Sequence, residues 1–169
     1  NLLSIKFEEW NINVSKKLSK QEIPKKIHQI WLGSPVPEKY KTWMNSWKNL
    51  NKGWDYYLWD DEKIKSLNMQ NRDLFDAIEN LGAKSDIARL EILRLFGGIY
   101  VDTDFQCLRP LNDQILKTKM FACCLSNYSP QIGNGIIGAS KDSKILLNCI
   151  YRLTKNKLRN PTPNEISNF

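Results

Sequence analysis

The 169-residue sequence lacks several features that would assign its class at once. No apolar run approaches the roughly 20 residues of a membrane-spanning helix, and no hydrophobic signal segment follows the first residue. The four cysteines form neither a C-x-x-C pair nor a Cys/His zinc pattern. There is no internal repeat, no low-complexity tract and no helix-turn-helix, RNA-binding or zinc-finger signature. With 41% hydrophobic and 25% charged residues, the composition is typical of one globular domain.

Histidine is almost absent, because His28 is the single one in the chain. Its position inside a predicted strand favours a packed ring over a general base. The cysteines are Cys107, Cys123, Cys124 and Cys149. Cys123 and Cys124 follow an apolar run, so we expect a buried strand with reduced core cysteines. A disulfide is the alternative.

Charge is present mainly with a positive sign. The 25 Lys and Arg residues exceed the 18 Asp and Glu residues, which gives a net charge of +7. This excess favours an anionic partner such as a nucleotide, a nucleic acid or an acidic membrane face. The lysines are scattered along the chain, so a solvated basic surface without a partner is the alternative.

Strands and helices alternate in the predicted secondary structure. The hydrophobic pattern predicts strands over residues 27–32, 56–59, 99–102, 120–125 and 132–139. It predicts helices over residues 38–50, 61–67, 72–80, 83–96 and 142–157, with Asp60 and Asp61 as an N-cap. This alternation predicts an α/β sandwich, preceded by an N-terminal arm or helix over residues 1–22.

Residues 96–104 (FGGIYVDTD) form the most informative segment. Gly97 and Gly98 end the preceding helix, and a short β-favouring run follows. Asp102 and Asp104 come where that strand should end, at the edge where α/β sheets usually bind ligands. Two hard oxygen donors there suit Mg²⁺ or Mn²⁺ shared with a phosphate group. A bare Asp-x-Asp triplet is otherwise a turn, a cap or solvated surface.

Four motifs then carry a resemblance: residues 23–31 (IPKKIHQIW), 58–60 (LWD), 83–89 (AKSDIAR) and 97–104 (GGIYVDTD). In this order they resemble glycosyltransferase family thirty-two, which includes mannosyltransferases and bacterial capsule transferases and is distantly similar to glucosylating toxins. The resemblance implies a GT-A fold, which is a Rossmann-like nucleotide-sugar-binding sandwich. It implies retaining transfer of a hexose from a UDP- or GDP-linked sugar to a saccharide, glycolipid or protein, with Mn²⁺ or Mg²⁺.

The resemblance also implies roles for charged residues. Asp104 resembles the direct metal ligand, and Asp102 resembles the carboxylate that meets the ribose, the donor sugar or the metal through water. Asp86 and Arg89 match positions that face the donor sugar and the diphosphate. Because these two residues are three apart on a predicted helix, an intrahelical ion pair is the alternative.

Three further residues match donor-side positions in the family. Trp31 ends the first strand, where its indole resembles a platform for the nucleobase, and a core tryptophan is the alternative. Tyr100 matches a donor-binding position beside the Asp-x-Asp motif. Asn134 lies between two glycines and resembles an asparagine near the donor or the acceptor, with a plain turn as the alternative.

Two other functions stay open from the residues alone. A metal-dependent phosphoesterase would use the same carboxylates for two ions, but it needs more acidic or histidine ligands than the sequence offers. A non-catalytic nucleotide- or carbohydrate-binding module would use aromatic residues such as Trp43 and Trp47 as a sugar surface. We expect no nucleic-acid partner.

The sequence starts at Asn1 rather than Met and ends at Phe169. Family members usually continue with a further metal ligand and acceptor contacts. We therefore expect a fragment, with a GT-A catalytic domain over residues 23–169 that is incomplete at its C-terminus or completed differently. We expect a cytoplasmic location with peripheral membrane association.

Overall fold

The secondary structure alternates as the sequence predicts. The computed structural model describes residues 20–124, 132–141 and 143–156. The strands in these ranges are β1 (Lys26–Ile30), β2 (Asp55–Trp59), β3 (Gly98–Val101), β4 (Met120–Cys124) and β5 (Ile132–Ala139). The helices are α1 (Glu38–Leu50), α2 (Asp61–Lys65), α3 (Arg72–Ala77), α4 (Leu81–Phe96) and α5 (Lys144–Asn156), with a 3₁₀ helix at Asp113–Lys117.

The strands form one mixed sheet in the order β2-β1-β3-β5-β4. β1 is parallel to β2 and to β3, whereas β5 is antiparallel to β3 and β4. Helix α1 connects β1 to β2, and helices α2 to α4 connect β2 to β3. Crossovers between parallel strands are nearly always right-handed, so these two crossovers in opposite directions cover opposite faces. The carboxyl ends of β1 and β3 therefore meet at an edge suited to ligands.

Apolar side chains cover both faces of the sheet. Ile99 and Val101 pack with Trp47 of α1 on one face, and Tyr100 packs with Leu93 of α4 on the other. Successive residues of a strand point to opposite faces, and all four residues of β3 are buried. The sheet is therefore the middle of three layers, and β3 is a continuous hydrophobic run because helices cover it on both sides.

Gly97 and Gly98 make the sharp junction between α4 and β3. Their φ angles are +62° and +113°, which favour glycine. A Cβ atom on Gly98 would lie 2.7 Å from the backbone oxygen of Lys26 and 2.9 Å from Nε2 of His28. The junction packs directly against β1, and this contact fixes where β3 begins and where Asp102 follows it.

His28 is packed inside the sheet, which confirms the structural interpretation of this histidine. Its side chain is 1% exposed. Nδ1 accepts a hydrogen bond from Nε1 of Trp59 at 3.2 Å, so Nε2 carries the proton and donates to the Gly97 oxygen at 2.9 Å. Burial lowers the pKa of His28 to about 4, because the charged ring would lose its hydration.

The expectation of a buried strand with core cysteines is wrong for β4. Among the described strands it lies at the edge of the sheet and pairs only with β5, and Ala122 is exposed and Cys123 half-buried. Cys107 is buried and Cys149 is half-buried, and all three are free thiols. Residue 125 and the side chain of Cys124 lie outside the described part.

Side-chain caps move several helix ends away from the predicted positions. Asn80 accepts the Ala83 N–H at 2.9 Å, so α4 starts at Leu81 rather than 83, and α3 ends before this cap at Ala77. Asp60 accepts the Lys63 N–H at 3.0 Å, which confirms the predicted N-cap. Such caps satisfy backbone donors that a helix cannot pair internally.

The structure bears on the predicted N-terminal arm and on membrane-spanning helices only within the described ranges. The predicted N-terminal arm, residues 1–22, lies outside the described ranges except for its last three residues. The division into an arm and a catalytic domain stays a prediction. Within residues 20–124, 132–141 and 143–156, no helix has the length and apolar character needed to cross a membrane.

Substituting Gly98 tests the junction between α4 and β3. We expect Gly98→Ala to lower the free energy of unfolding by roughly 3 kcal/mol, because strain at positive φ adds to the clash with β1. Gly53→Ala is the matched control, since Gly53 also has a positive φ of +84° but nothing within 4 Å of the position that a Cβ atom would take. That control should lose only about 1 kcal/mol. Equal losses in urea unfolding would contradict the packing argument.

Acid unfolding tests the buried histidine. Below pH 6.5 the unfolded chain takes up a proton at His28, whereas the folded protein takes it up only near pH 4. Stability from this group is therefore full above pH 6.5 and lost as the pH falls towards 4. Between pH 7.5 and 5 we expect a loss of about 2 kcal/mol.

The control for this prediction is His28→Gln, measured by urea unfolding at both pH values. The other titrating groups are common to both proteins, so the difference in their pH dependence isolates His28. The same pH dependence in the two proteins would show that the ring is not held neutral.

Candidate functional site

Arg89 of α4 is the centre of a polar cluster at the carboxyl end of β3. Its side chain is 6% exposed, and Nη2 lies 2.9 Å from Oδ1 of Asp86 and 3.3 Å from Oδ1 of Asp102. Nη1 donates to the backbone oxygen of Asn134 at 2.6 Å, and Nε donates to that of Ser85 at 3.3 Å. One buried cation thus joins α4, β5 and the end of β3.

Tyr100 lies directly beneath this guanidinium. The Cζ atom of Arg89 is 4.4 Å from the ring centroid, a cation–π arrangement. The Tyr100 hydroxyl donates to Oδ1 of Asp102 at 2.6 Å. Burial raises the pKa of Tyr100 well above its ordinary value, so the hydroxyl remains a donor. Its ring is 2% exposed, and its predicted contact with a donor nucleotide stays a prediction.

Asp86 and Asp102 each use one carboxylate oxygen for contacts within the protein. Oδ1 of Asp86 also accepts from Nδ2 of Asn134 at 3.1 Å. Among the described residues, neither Oδ2 takes part in a hydrogen bond. Burial raises the pKa of both carboxyl groups, and Arg89 opposes that shift. Half-buried carboxylates with a charged partner are typical of functional sites.

Asp104 lies on a tight turn after β3. The Phe105 N–H donates to the Asp102 oxygen at 3.2 Å and closes this turn. The Asp104 side chain is exposed, and it forms no hydrogen bond or ion pair with the residues that the structure describes. Because Asp104 and Oδ2 of Asp102 are both available, the two carboxylates predicted as metal ligands offer hard oxygen donors on one short turn.

The described residues contain no group of three or more His, Cys, Asp or Glu that could hold a metal ion. Divalent ions of the magnesium class usually bind through one or two carboxylates plus phosphate oxygens and water. The Asp102 and Asp104 pair fits that kind of shared site. It does not supply the larger ligand set of a two-metal phosphoesterase.

A cavity of about 430 Å³ opens beside the polar cluster, within the size range of ligand sites. Trp31 and Tyr40 line one part of its wall, and Arg89, Asp102 and Asp104 line another. The two aromatic rings have centroids 4.8 Å apart. The cavity therefore presents an aromatic surface and a charged surface to the same ligand.

Two parts of the cavity are not predicted from the sequence. Tyr40 belongs to the helical spacing of α1, which predicts packing, yet it lies against the indole of Trp31 at the cavity wall. Gly82 and Ser85 line the cavity because α4 begins there. The N-cap at Asn80 is the signal that locates this helix start, since it places the first turn of α4 one turn before Asp86.

The structure narrows the alternatives for Trp31 and Asn134, because Trp31 is not fully buried and Asn134 is not in a turn. The Trp31 indole is half-buried at the cavity wall, and Nε1 donates to Oγ of Ser34 at 3.3 Å. Asn134 lies within β5 rather than in a plain turn. The Asp86 and Arg89 ion pair exists, and it belongs to the cluster. The roles of these residues towards a ligand stay predictions.

Comparison with known proteins identifies the sequence family. The family described as "Glycosyltransferase sugar-binding region containing DXD motif" matches residues 37–122. Inositol phosphoceramide mannosyltransferase 1 of Schizosaccharomyces pombe is 33% identical over 144 residues, which cover 80% of this chain and 44% of that protein. The chain spans half or less of the length of the curated relatives it matches.

Solved structures agree on the fold. The PaToxG glycosyltransferase superposes with a TM-score of 0.71 at 18% identity, covering 97% of this chain and 73% of that one. The UDP-bound glycosyltransferase domain from the YGT toxin gives a TM-score of 0.56 at 12% identity, covering 86% and 66%. The predicted GT-A fold is confirmed by these neighbours.

The matched region contains part of the site, whereas Trp31 and Asn134 lie outside it. It runs from the start of α1 into β4 and includes α4, β3 and the turn at residues 102–104. The DXD motif in the family's description corresponds to Asp102, Thr103 and Asp104. This chain therefore belongs to the glycosyltransferase family whose sugar-binding region contains a DXD motif.

Proposed function

We propose that the protein is part of a retaining, metal-dependent glycosyltransferase that transfers a hexose from a nucleotide-diphosphate sugar. The observation that carries this proposal is the cluster of Asp86, Arg89 and Asp102 beside a cavity with an aromatic wall. A nucleotide sugar has a flat base at one end, a diphosphate in the middle and hydroxyl groups at the other end. The cavity lining combines aromatic and charged side chains suited to such a ligand, and family membership supports the assignment.

Trp31 and Tyr40 would contact the nucleobase. Stacking of a base on an aromatic side chain contributes ~1–3 kcal/mol in nucleic-acid complexes. The hydrogen bond from Trp31 to Ser34 orients the indole before a ligand binds. UDP- and GDP-linked donors both fit this proposal, and the UDP-bound YGT toxin domain makes UDP the first ligand to test.

Asp104 and Oδ2 of Asp102 would hold Mn²⁺ or Mg²⁺ together with the diphosphate. They fit such an ion because both offer hard oxygen donors and neither needs to break a described contact. When bound, the cation neutralises charge that develops on the leaving nucleoside diphosphate. Tyr100 keeps Oδ1 of Asp102 turned inward, so the other oxygen remains available.

Asp86, Arg89 and Asn134 would orient the donor sugar. Asp86 has a free Oδ2 that can accept a hydrogen bond from a sugar hydroxyl. Arg89 directs its donors to four protein groups, so its proposed role is to hold both carboxylates ionised and in place. Asn134 in turn fixes the Asp86 carboxylate through its amide.

We also propose retention, with departure and attack on the same face of the sugar. The family resemblance supports this path, and His28 is not available as a base because its ring is buried and bonded to the Gly97 oxygen. The acceptor would be a saccharide, a glycolipid or a protein. The name of the Schizosaccharomyces relative supports a glycolipid. The cytoplasmic location with peripheral membrane association stays a prediction.

Removing Asp104 tests the proposed metal site. We expect Mn²⁺ to increase the affinity of the wild-type protein for UDP or GDP at least tenfold. In Asp104→Asn this gain should disappear, because one of the two carboxylate ligands is lost. The thermal unfolding temperature should stay unchanged, since the side chain is exposed. Isothermal titration calorimetry with Mn²⁺ and with a chelator measures both affinities.

The matched control is Asp113→Asn, another exposed acid, which pairs with Lys25 at 3.0 Å. It should leave the Mn²⁺ effect intact, because it does not line the cavity. Equal nucleotide affinities with Mn²⁺ and with chelator in the wild-type protein would refute the metal site itself.

Asp86→Asn separates a functional role from a structural ion pair. Burial raises the pKa of Asp86, so its ionisation at neutral pH lowers the free energy of unfolding. This loss is absent below the ordinary pKa of an aspartate and develops as the pH rises through the raised value. Asn keeps the size and removes this unfavourable charge, and Arg89 keeps Asp102 as an ion-pair partner at 3.3 Å, so thermal stability at pH 7 should change little. Sugar transfer or donor hydrolysis should fall at least tenfold.

Asp76→Asn is the control for this prediction, because Asp76 forms an exposed i,i+4 pair with Arg72 at 3.7 Å. Such surface pairs contribute only ~0.2–0.5 kcal/mol, and neither stability nor activity should change much. Loss of stability with full activity in Asp86→Asn would show that the pair is purely structural.

A further inference from the structure

The turn that carries Asp102 and Asp104 is held from several directions by its backbone. The Asp102 N–H donates to the Gly135 oxygen at 2.8 Å. The Asp102 oxygen accepts from the Phe105 N–H and from Nε2 of Gln29, both at 3.2 Å. Phe105 in turn accepts from Nε1 of Trp47 at 2.7 Å. Elements β5, β1 and α1 therefore all bond to this one turn.

The bond from Gln29 has a fixed direction. A backbone oxygen only accepts hydrogen bonds, so the amide nitrogen of Gln29 must face Asp102 and Oε1 must face away. Oε1 accepts from the hydroxyl of Tyr56 at 2.7 Å. Tyr56 on β2 thereby locks the orientation of the Gln29 amide on β1, and the amide holds the first residue of the turn.

We propose that Gln29 and Tyr56 are positioning residues that set the geometry of the two metal-binding carboxylates. This inference rests on the proposed metal-dependent function of Asp102 and Asp104. A metal site needs its ligands placed within a few tenths of an ångström, and partners that orient ligands typically change metal affinity 10–100-fold when they are removed. Gln29 acts on the metal ligand Asp102 through the backbone oxygen of Asp102. No described hydrogen bond joins Gln29 to the carboxylate of Asp102 or Asp104.

The environment of Gln29 argues against a packing role alone. Its side chain is 0% exposed, on the same face of β1 as Ile27 and next to the apolar cluster of Ile99 and Val101. An apolar residue would fill this position without the penalty of burying an amide. The amide instead bonds at both ends: Nε2 donates to the Asp102 oxygen of the turn, and Oε1 accepts from the Tyr56 hydroxyl.

The chemistry of Tyr56 suits this connection. Burial raises the pKa of Tyr56 to about 12, so its hydroxyl is a donor throughout the working pH range. Register places Tyr56 opposite Ile27 on the neighbouring strand. Ile27 is two residues before Gln29, so Tyr56 and Gln29 lie on the same face of the sheet. The contact therefore follows from the parallel pairing of β1 and β2.

The test is Mn²⁺ affinity in the presence of saturating UDP, measured from the free Mn²⁺ signal in electron paramagnetic resonance. We expect Gln29→Met, which keeps the length of the side chain, to weaken Mn²⁺ binding about tenfold. Tyr56→Phe removes only the hydroxyl and should weaken it severalfold. UDP affinity measured in chelator should stay within twofold of the wild type for both variants, because the base and sugar contacts are intact.

Two controls separate positioning from loss of stability. Tyr57→Phe alters the next residue of β2, whose ring lies on the opposite face against His28, and it should leave Mn²⁺ affinity unchanged. Thr154→Val removes a half-buried hydrogen bond to Asn71 at 2.8 Å far from the turn. It should lower the unfolding temperature without changing Mn²⁺ affinity.

The outcomes distinguish this inference from the proposed function. If wild-type protein shows no Mn²⁺-dependent UDP binding, the metal site fails and the positioning role fails with it. If wild type shows that dependence and both Gln29→Met and Tyr56→Phe bind Mn²⁺ within twofold of it, only the positioning role is overturned. Should Gln29→Met not fold, the milder Tyr56→Phe variant decides the question.

Discussion

The arrangement of the site depends on one buried guanidinium. Arg89 contacts Asp86 on its own helix, Asp102 after β3 and the Asn134 backbone in β5. Removing one partner of a buried ion pair typically costs about 3–5 kcal/mol, although the intact pair adds little net stability compared with apolar packing. Without Arg89, the repulsion between Asp86 and Asp102 would be uncompensated, since the charge of Asp102 adds to the effect of burial in raising the pKa of Asp86. Arg89 therefore fixes an arrangement of charges more than it stabilises the fold.

Chain geometry explains why this arrangement forms between residues thirteen apart. From Arg89 to Phe96 the helix runs about 11 Å away from the site at 1.5 Å per residue. After the Gly97 and Gly98 junction, the strand runs about 13 Å in the opposite direction to Asp102 at 3.3 Å per residue. The two distances nearly cancel, so Arg89 in the middle of α4 lies level with Asp102 at the end of β3. The glycine junction, with no room for a Cβ against β1, makes the reversal tight.

Much of this local geometry could be predicted from the sequence. The strand, the glycine pair and the two aspartates are adjacent in the chain, and helical spacing places Asp86 and Arg89 on one face. The bond between Tyr56 and Gln29 could not be predicted, because it depends on the register of two strands joined by a long crossover. The exposure of β4 depends on its place at the edge of the sheet, which the apolar run of residues 120–125 does not reveal. Tyr40 looks like a packing residue until the contact with Trp31 is known.

The charge at the site is opposite to the charge of the chain. Asp86, Asp102 and Asp104 carry three negative charges against the single positive charge of Arg89, whereas the whole chain carries +7. A nucleoside diphosphate would add further negative charge to a partly buried region, where repulsion is screened less than in water. A divalent cation offsets the local excess of two charges. On the proposed function, cation and nucleotide should therefore each raise the affinity for the other by the same factor, as linkage requires. On the proposed function, the negative excess that remains beside the buried arginine would make nucleotide binding depend on a cation that binds with the nucleotide.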